Sequence, residues 1–194
     1  MKNILVLYHS RLGSVQKMAE LISRGVAQTD DCQAWLRTVP NVTTGLTTTD
    51  AVPEAGAPYA TLDELAECDG LILGSPTRFG NMSAEMKHFL DSSSSIWMSG
   101  KLTNKPAAVF TSSSSMHGGQ EATLLSMMIP LLHHGMIIAG LPYSEPALRN
   151  TSTGGTPYGA SHVAGSNNQL EISEDEKALC LALGKRVAQL ASKL

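Results

Sequence analysis

The stretch Leu71-Ile72-Leu73-Gly74-Ser75-Pro76-Thr77-Arg78-Phe79-Gly80-Asn81-Met82-Ser83 decides the fold. Its first three residues form an apolar run that reads as a buried strand. Met82 to Leu90 is amphipathic and reads as a helix. The Gly- and Pro-bearing turn between them therefore sits at the carboxyl end of a strand, where open α/β sheets bind ligands. Pro76 fixes one φ and removes one N–H, and Gly80 permits backbone conformations that other residues resist. Arg78 and Phe79 set a cation beside a flat apolar ring, a pairing suited to a planar, heteroatom-rich ligand. Taken alone, these residues also fit an ordinary strand-to-helix loop.

Working outward, Ile4-Leu5-Val6-Leu7-Tyr8 is a second continuous apolar run, as in a central parallel strand covered on both faces. The loop His9 to Val15 follows, and Val15, Met18, Ala19, Ile22 and Val26 recur at helical spacing. Ala34–Val39, Pro106–Phe110 and Met136–Ile138 read as further strands. Thr61-x-x-Glu64 and Ser173-x-x-Glu176 are capping boxes that open helices. One helix carries Ala122, Leu125, Met128, Ile129 and Leu132, and the last carries Leu179, Leu183, Val187, Leu190 and Leu194. Five strands alternating with helices predict a parallel sheet in the order 2-1-3-4-5, with helices on both faces. The 194 residues fit one domain, 1–194, with insertions around 40–60 (Pro40 to Pro58) and 140–170 (Gly140 to Asn168). Ser92 to Trp97 reads as a packed loop.

The composition excludes several classes of function. A net charge of −3 without a basic stripe argues against nucleic-acid binding. The three cysteines Cys32, Cys68 and Cys180 make no CxxC pair and read as free thiols in a reducing cytoplasm. The N-terminal apolar run is too short for a signal peptide, and no stretch reads as a membrane span.

Three loops carry ligand chemistry. After the first strand, Ser10 and Ser14 offer hydroxyls, Gly13 lets the backbone curl, and the helix start offers unpaired N–H groups at the positive end of its dipole. Together they suit a phosphate. Neither the Walker A pattern nor Gly-x-Gly-x-x-Gly is present, so a mononucleotide is implied. The lesser alternative is that Ser14 merely caps its helix. After the fourth strand, Thr111 to Glu121 is rich in hydroxyls and glycine and can hydrogen-bond the edge of a heteroaromatic ring. In the order above, the loops after strands one, three and four are neighbours. A phosphate on a short tether beside a tricyclic ring is FMN. The adjacent His133 and His134 point in different directions and have no carboxylate or Cys partner at ligand spacing, so no metal is expected.

Gly74 to Ser83, Gly118-Gly119-Gln120-Glu121, His133-His134-Gly135-Met136 and Gly154-Gly155-Thr156-Pro157-Tyr158-Gly159-Ala160 occur together and in order. In these blocks the chain resembles the WrbA-like NAD(P)H:quinone oxidoreductases, flavoproteins of flavodoxin-like fold, over nearly its whole length. The resemblance implies FMN, NADH or NADPH as co-substrate, a cytosolic homotetramer, and two-electron reduction of quinones by ping-pong hydride transfer through FMN. By position, Ser10, Arg11, Leu12, Gly13, Ser14 and Val15 match the family's phosphate loop. Pro76, Thr77, Arg78, Phe79 and Gly80 fall in its isoalloxazine-binding turn. Ser112, Ser113, Ser114, Ser115, Met116, His117 and Gly118 match its second ring-binding loop. His133 matches a histidine that closes the site, with a catalytic or orienting role. Trp97 matches an aromatic brought near the flavin and substrate at a subunit contact. Leu12 departs from a Tyr that some members associate with the nicotinamide. The alternatives are a flavodoxin-type electron carrier, which the modest net charge disfavours, and a non-enzymatic binding module.

Overall fold

The computed structural model of the protein describes residues 1–43, 53 and 55–194. In chain order the elements are β1 (Lys2–Tyr8), α1 (Ser14–Val26), β2 (Cys32–Thr38), α2 (Leu62–Glu67), β3 (Gly70–Pro76), α3 (Ala84–Asp91), α4 (Ser94–Met98), β4 (Pro106–Ser113), α5 (Gln120–His133), β5 (Ile137–Ile138), α6 (Pro146–Asn150), β6 (Ala160–Val163) and α7 (Glu174–Ala191). The sheet is parallel in the order β2-β1-β3-β4-β5, with β6 also paired to β4. The flavodoxin-like order expected from the strand runs is therefore present.

The edge beside β4 is divided between two short strands. β5 pairs with Pro106 and Ala107, and β6 pairs with Phe110 to Ser113. The sequence reading missed β6, and it placed Thr111 to Ser113 in a loop. Those residues extend β4 because β6 supplies partners for their backbone groups. The first expected excursion, Pro40 to Pro58, falls largely on residues 44–52 and 54, outside the described residues.

Apolar cores form on both faces of the sheet. On one, α1 and α7 cover Ile4, Val6, Ile72, Ala108 and Phe110. On the other, Leu5, Leu7, Leu71, Leu73 and Val109 pack with Met86, Phe89, Leu124 and Met127. α1 and α7 cross closely because both carry glycine at the contact. A side chain at Gly184 would strike the Ile22 carbonyl, and one at Gly25 the Leu181 carbonyl. Burial pushes the Cys68 thiol up to about 12 and raises that of Cys180 as well, which keeps both protonated and unreactive.

Three helical expectations change. α3 starts at Ala84, since Ser83 caps it by accepting from the Met86 N–H at 3.4 Å. Ser94 to Met98 is a short helix, and its Trp97 is half exposed. α5 buries Thr123, Leu124, Met127 and Leu131 and turns Leu125, Ile129 and Leu132 outward. This helix is apolar almost all round, so periodicity alone did not single out the inward face.

Candidate active site

The phosphate-type loop is built by a backbone turn. Gly13 is the N-cap of α1 at φ 90° and has no side-chain cap, so Ser14 is the first helical residue rather than its cap. The Gly13 N–H donates to Ser10 Oγ at 3.1 Å, and the first intrahelical bond runs from Lys17 N to Gly13 O at 2.9 Å. The N–H groups of Ser14, Val15 and Gln16 therefore lack helical acceptors. A side chain at Gly13 would meet open space, so it is the positive φ and not crowding that calls for glycine here.

The turn after β3 carries an aromatic at its tip. Arg78 and Asn81 exchange backbone bonds, with N–H to O distances of 2.8 and 3.0 Å. The central residues Phe79 and Gly80 both have positive φ, 52° and 77°. For a phenylalanine that conformation is strained, at a cost of about 1–3 kcal/mol. The ring is nevertheless fully exposed and gains nothing from the core. A strained residue that gains nothing from the core is a candidate for a functional contact.

The loop after β4 is tied to that turn. Thr77 N donates to Ser112 O at 3.0 Å, and the Thr77 and Thr123 hydroxyls lie 2.6 Å apart. Within the loop, Ser113 Oγ donates to Ser115 O at 2.7 Å and accepts from Gln120 Nε2 at 2.8 Å. Behind the site His9 is buried, its Nδ1 3.6 Å from Glu85 Oε2. Burial holds this imidazole below its ordinary value against the opposing pull of Glu85.

These loops line one cleft of about 200 Å³. Ser10, Arg11, Leu12, Ser14, Val15, Pro76, Thr77, Arg78, Ser112, Ser113 and Ser114 meet there. Gly13 and Gly80 shape the turns, and Phe79 stands at the tip of the second one. Met116 and His117 line a neighbouring cleft with Gly119, Gln120, Thr153 and Thr156, and Ser115 and Gly118 belong to the loop between the two. The sequence reading overlooked Ala164, Gly165, Ser166 and Asn168, which form a further wall of the first cleft. Their signal was the Gly165-Ser166-Asn167-Asn168 turn sequence at the end of the second excursion.

Trp97 and His133 lie elsewhere. They line a second cleft of about 490 Å³ between α3, α4 and α5, with Met82, Leu90 and Ile129. His133 is exposed at the end of α5, whereas the adjacent His134 is buried with Nε2 3.0 Å from Ser93 Oγ. Ser93 already donates its one proton to Leu90 O at 2.6 Å, so His134 donates from Nε2. Burial, with His133 next to it, lowers the affinity of His134 for a second proton.

The lining of the first cleft suits a flavin mononucleotide bound with part of its ring outside it. The helix-start N–H groups, the serine hydroxyls and Arg11 are donors suited to a phosphate, and the turn that carries Arg78 into the cleft also carries the exposed Phe79. Residues 4–144 match the family described as NADPH-dependent FMN reductase. The chain belongs to that family. It is 44% identical to the NAD(P)H dehydrogenase (quinone) of Geotalea daltonii, covering 98% of this chain and 97% of the relative. It is 42% identical to the protein of the same name from Geobacter sulfurreducens, covering 99% and 98%. Among solved structures it is similar to the flavodoxin, WrbA-like protein from Agrobacterium tumefaciens, with TM-score 0.69, 25% identity and coverage of 100% and 99%. Flavodoxin 1 from Bacillus cereus shares the fold at TM-score 0.62 and 19% identity, over 97% and 98% of the two chains. In this FMN reductase relative, the cleft at the ends of β1, β3 and β4 occupies the place where flavodoxin-like sheets bind ligands.

Proposed function

We propose that the protein is an FMN-dependent NAD(P)H:quinone oxidoreductase that reduces quinones to hydroquinones in two-electron, ping-pong turnover. The observation that carries this reading is the convergence of the three predicted loops on one cleft. Bound FMN supplies the two-electron chemistry between nicotinamide and quinone. The chain's own residues bind and orient. Residues 10–15 hold the phosphate through helix-start N–H groups. Pro76 to Gly80 and Ser112 to Ser114 hold the ring edge, with Phe79 offering an apolar face and Ser115 to Gly118 continuing the loop toward the neighbouring cleft. Residues 1–194 act as one FMN-binding unit, with insertions around 40–60 and 140–170, in the cytoplasm.

The assembly is a homotetramer in which a neighbour supplies Trp97 and His133 to the flavin site. Two observations support this. The first cleft is smaller than the ~300–1,000 Å³ that encloses whole ligands, so a bound ring keeps an open face. Trp97 and His133 do not line that cleft. From the neighbour, His133 orients the quinone carbonyl.

The test is the visible spectrum of the purified protein with added FMN, its bleaching by NADH or NADPH, and its recovery on adding benzoquinone. Bleaching without recovery would sink the oxidoreductase reading. FMN is also expected to bind at least tenfold more tightly than FAD, about 1.4 kcal/mol, because the cleft has a single phosphate cradle. Titration calorimetry with both flavins checks this, and equal affinities would contradict the mononucleotide reading.

A further inference from the structure

We propose that Asn168 is a positioning residue for the phosphate cradle, through which Ser14 acts indirectly, and that this pair sets the preference for phosphorylated over unphosphorylated flavin. The inference rests on the flavin reading above and assigns its phosphate selectivity to a contact between two distant parts of the chain.

Asn168 Nδ2 donates to Leu12 O at 2.9 Å, and Asn168 Oδ1 accepts from Ser14 Oγ at 2.5 Å. One side chain thus grips the phosphate loop at two points flanking Gly13. The grip is built into the backbone. Asn168 has φ 56°, a left-handed conformation that asparagine tolerates better than most residues. It closes a turn in which Asn168 N donates to Gly165 O at 3.1 Å, and Leu170 N donates to Ala164 O at 3.0 Å. The turn is anchored on its other side, where Ala164 N donates to Ser113 O at 2.8 Å. It therefore spans from the second ring loop to the phosphate loop and walls the cleft between them.

The proton inventory defines the role of Ser14. A serine hydroxyl has one proton. That of Ser14 is committed to Asn168, so the hydroxyl has none left for a phosphate oxygen. The phosphate is met instead by the N–H groups of Ser14, Val15 and Gln16 and by Ser10. The work of Ser14 is to fix the helix start with Asn168. Because Asn168 holds the loop through Leu12 O as well, its loss releases the donors from one common geometry.

The experiment uses the full chain and calorimetric titration with FMN and with riboflavin, which lacks the phosphate. The proteins are wild type, Ser14→Ala, Asn168→Gly and the double variant. Glycine accepts the positive φ, so Asn168→Gly removes the amide and spares the turn. Asn168→Gly is expected to weaken FMN about tenfold, the scale of one to two hydrogen bonds, and to leave riboflavin within about twofold. Ser14→Ala, which leaves the bond to Leu12 O in place, should cost no more than Asn168→Gly, and the double variant no more than Asn168→Gly alone. Asn168→Asp, which keeps an acceptor but brings negative charge beside the phosphate, should weaken FMN further and again spare riboflavin. Additive losses, or a Ser14→Ala loss far above that of Asn168→Gly, would show that Ser14 donates to the phosphate and overturn the proposal. Equal weakening of both flavins would reduce Asn168 to a structural prop and overturn it too. If wild type binds neither flavin, the flavin reading itself fails. If wild type prefers FMN and Asn168→Gly does so equally, this inference alone fails.

Discussion

Glu176→Ala is expected to lower the unfolding free energy by about 3–5 kcal/mol, since leaving buried donors such as His162 Nδ1 and Gly154 N unpaired costs about 1–3 kcal/mol each. For a chain of this size that is a fall of roughly 6–20 °C in Tm. Glu176 and His162 are both 1% exposed. Glu176 Oε2 receives His162 Nδ1 at 2.9 Å and Ser173 N at 2.8 Å, while Oε1 receives Gly154 N at 2.8 Å and Val163 N at 3.2 Å. One carboxylate therefore ties the cap of α7, the glycine turn at Gly154 and strand β6 together. Removing it leaves four donors without their acceptor, two of them, His162 Nδ1 and Gly154 N, buried. Glu176→Gln keeps the shape but loses the charge and replaces one oxygen with donors facing donors, so it should rescue little. The carboxyl also gives a pH signature. Burial acts to raise its pKa, but the hydrogen bonds from His162, Ser173 and Gly154 outweigh burial and hold it at about 2, against an ordinary 4.5. A depressed folded pKa means that the stabilisation is present above pH 4.5 and is lost as pH falls toward 2. Thermal melts between pH 6 and pH 2 should show wild type and Glu176→Ala converging at the acid end. A constant gap across that range would show that the charge plays no part.

The same cluster explains why one strand escaped the sequence. β1 and β3 were legible because Ile4-Leu5-Val6-Leu7 and Leu71-Ile72-Leu73 are apolar on both faces, the mark of a central parallel strand. β6 is Ala160-Ser161-His162-Val163, and its buried polarity is matched by Gly155 N to Ser161 Oγ at 2.7 Å and by Glu176 to His162. Nothing local announces those partners, which lie in a loop and on a later helix. Capping boxes were legible because their chemistry spans three residues, and both Thr61–Glu64 and Ser173–Glu176 form as read. The site followed the same division. Loops with local signatures (Ser10 to Val15, Pro76 to Gly80) were readable as ligand loops, whereas the Gly165 to Asn168 wall takes its meaning from contacts with residues more than 150 positions away. The sequence did not tell the outward face of α5 from its inward one because the helix is apolar almost all round.

That face carries the second large effect. Ile129→Glu is expected to dissociate the proposed tetramer and to remove quinone turnover while FMN stays anchored by its phosphate. Leu125, Ile129 and Leu132 point outward from α5, Trp97 and Met98 stand exposed on the neighbouring α4, and Trp97, Ile129 and His133 border one cleft. Burying a leucine or isoleucine contributes about 1.5–3 kcal/mol, so a stripe of this kind is a poor surface to leave in water and a good one to pair. A carboxylate at its centre replaces that gain with a desolvation cost of several kcal/mol if the face is covered. On an uncovered face the same change is worth less than about 0.5 kcal/mol. The two cases differ enough for a single variant to separate them. Sedimentation across a concentration series, with flavin absorbance read in the same cell, measures mass and occupancy together. Ile129→Glu should sediment as a smaller species that still carries FMN. Trp97→Ala should keep the larger mass, since one aromatic truncation leaves the α5 stripe intact, yet lose substrate handling. A wild-type protein that is monomeric at all concentrations and turns over quinone at full rate would remove the need for a neighbour. In that case Trp97 and His133 would have to act from their own cleft.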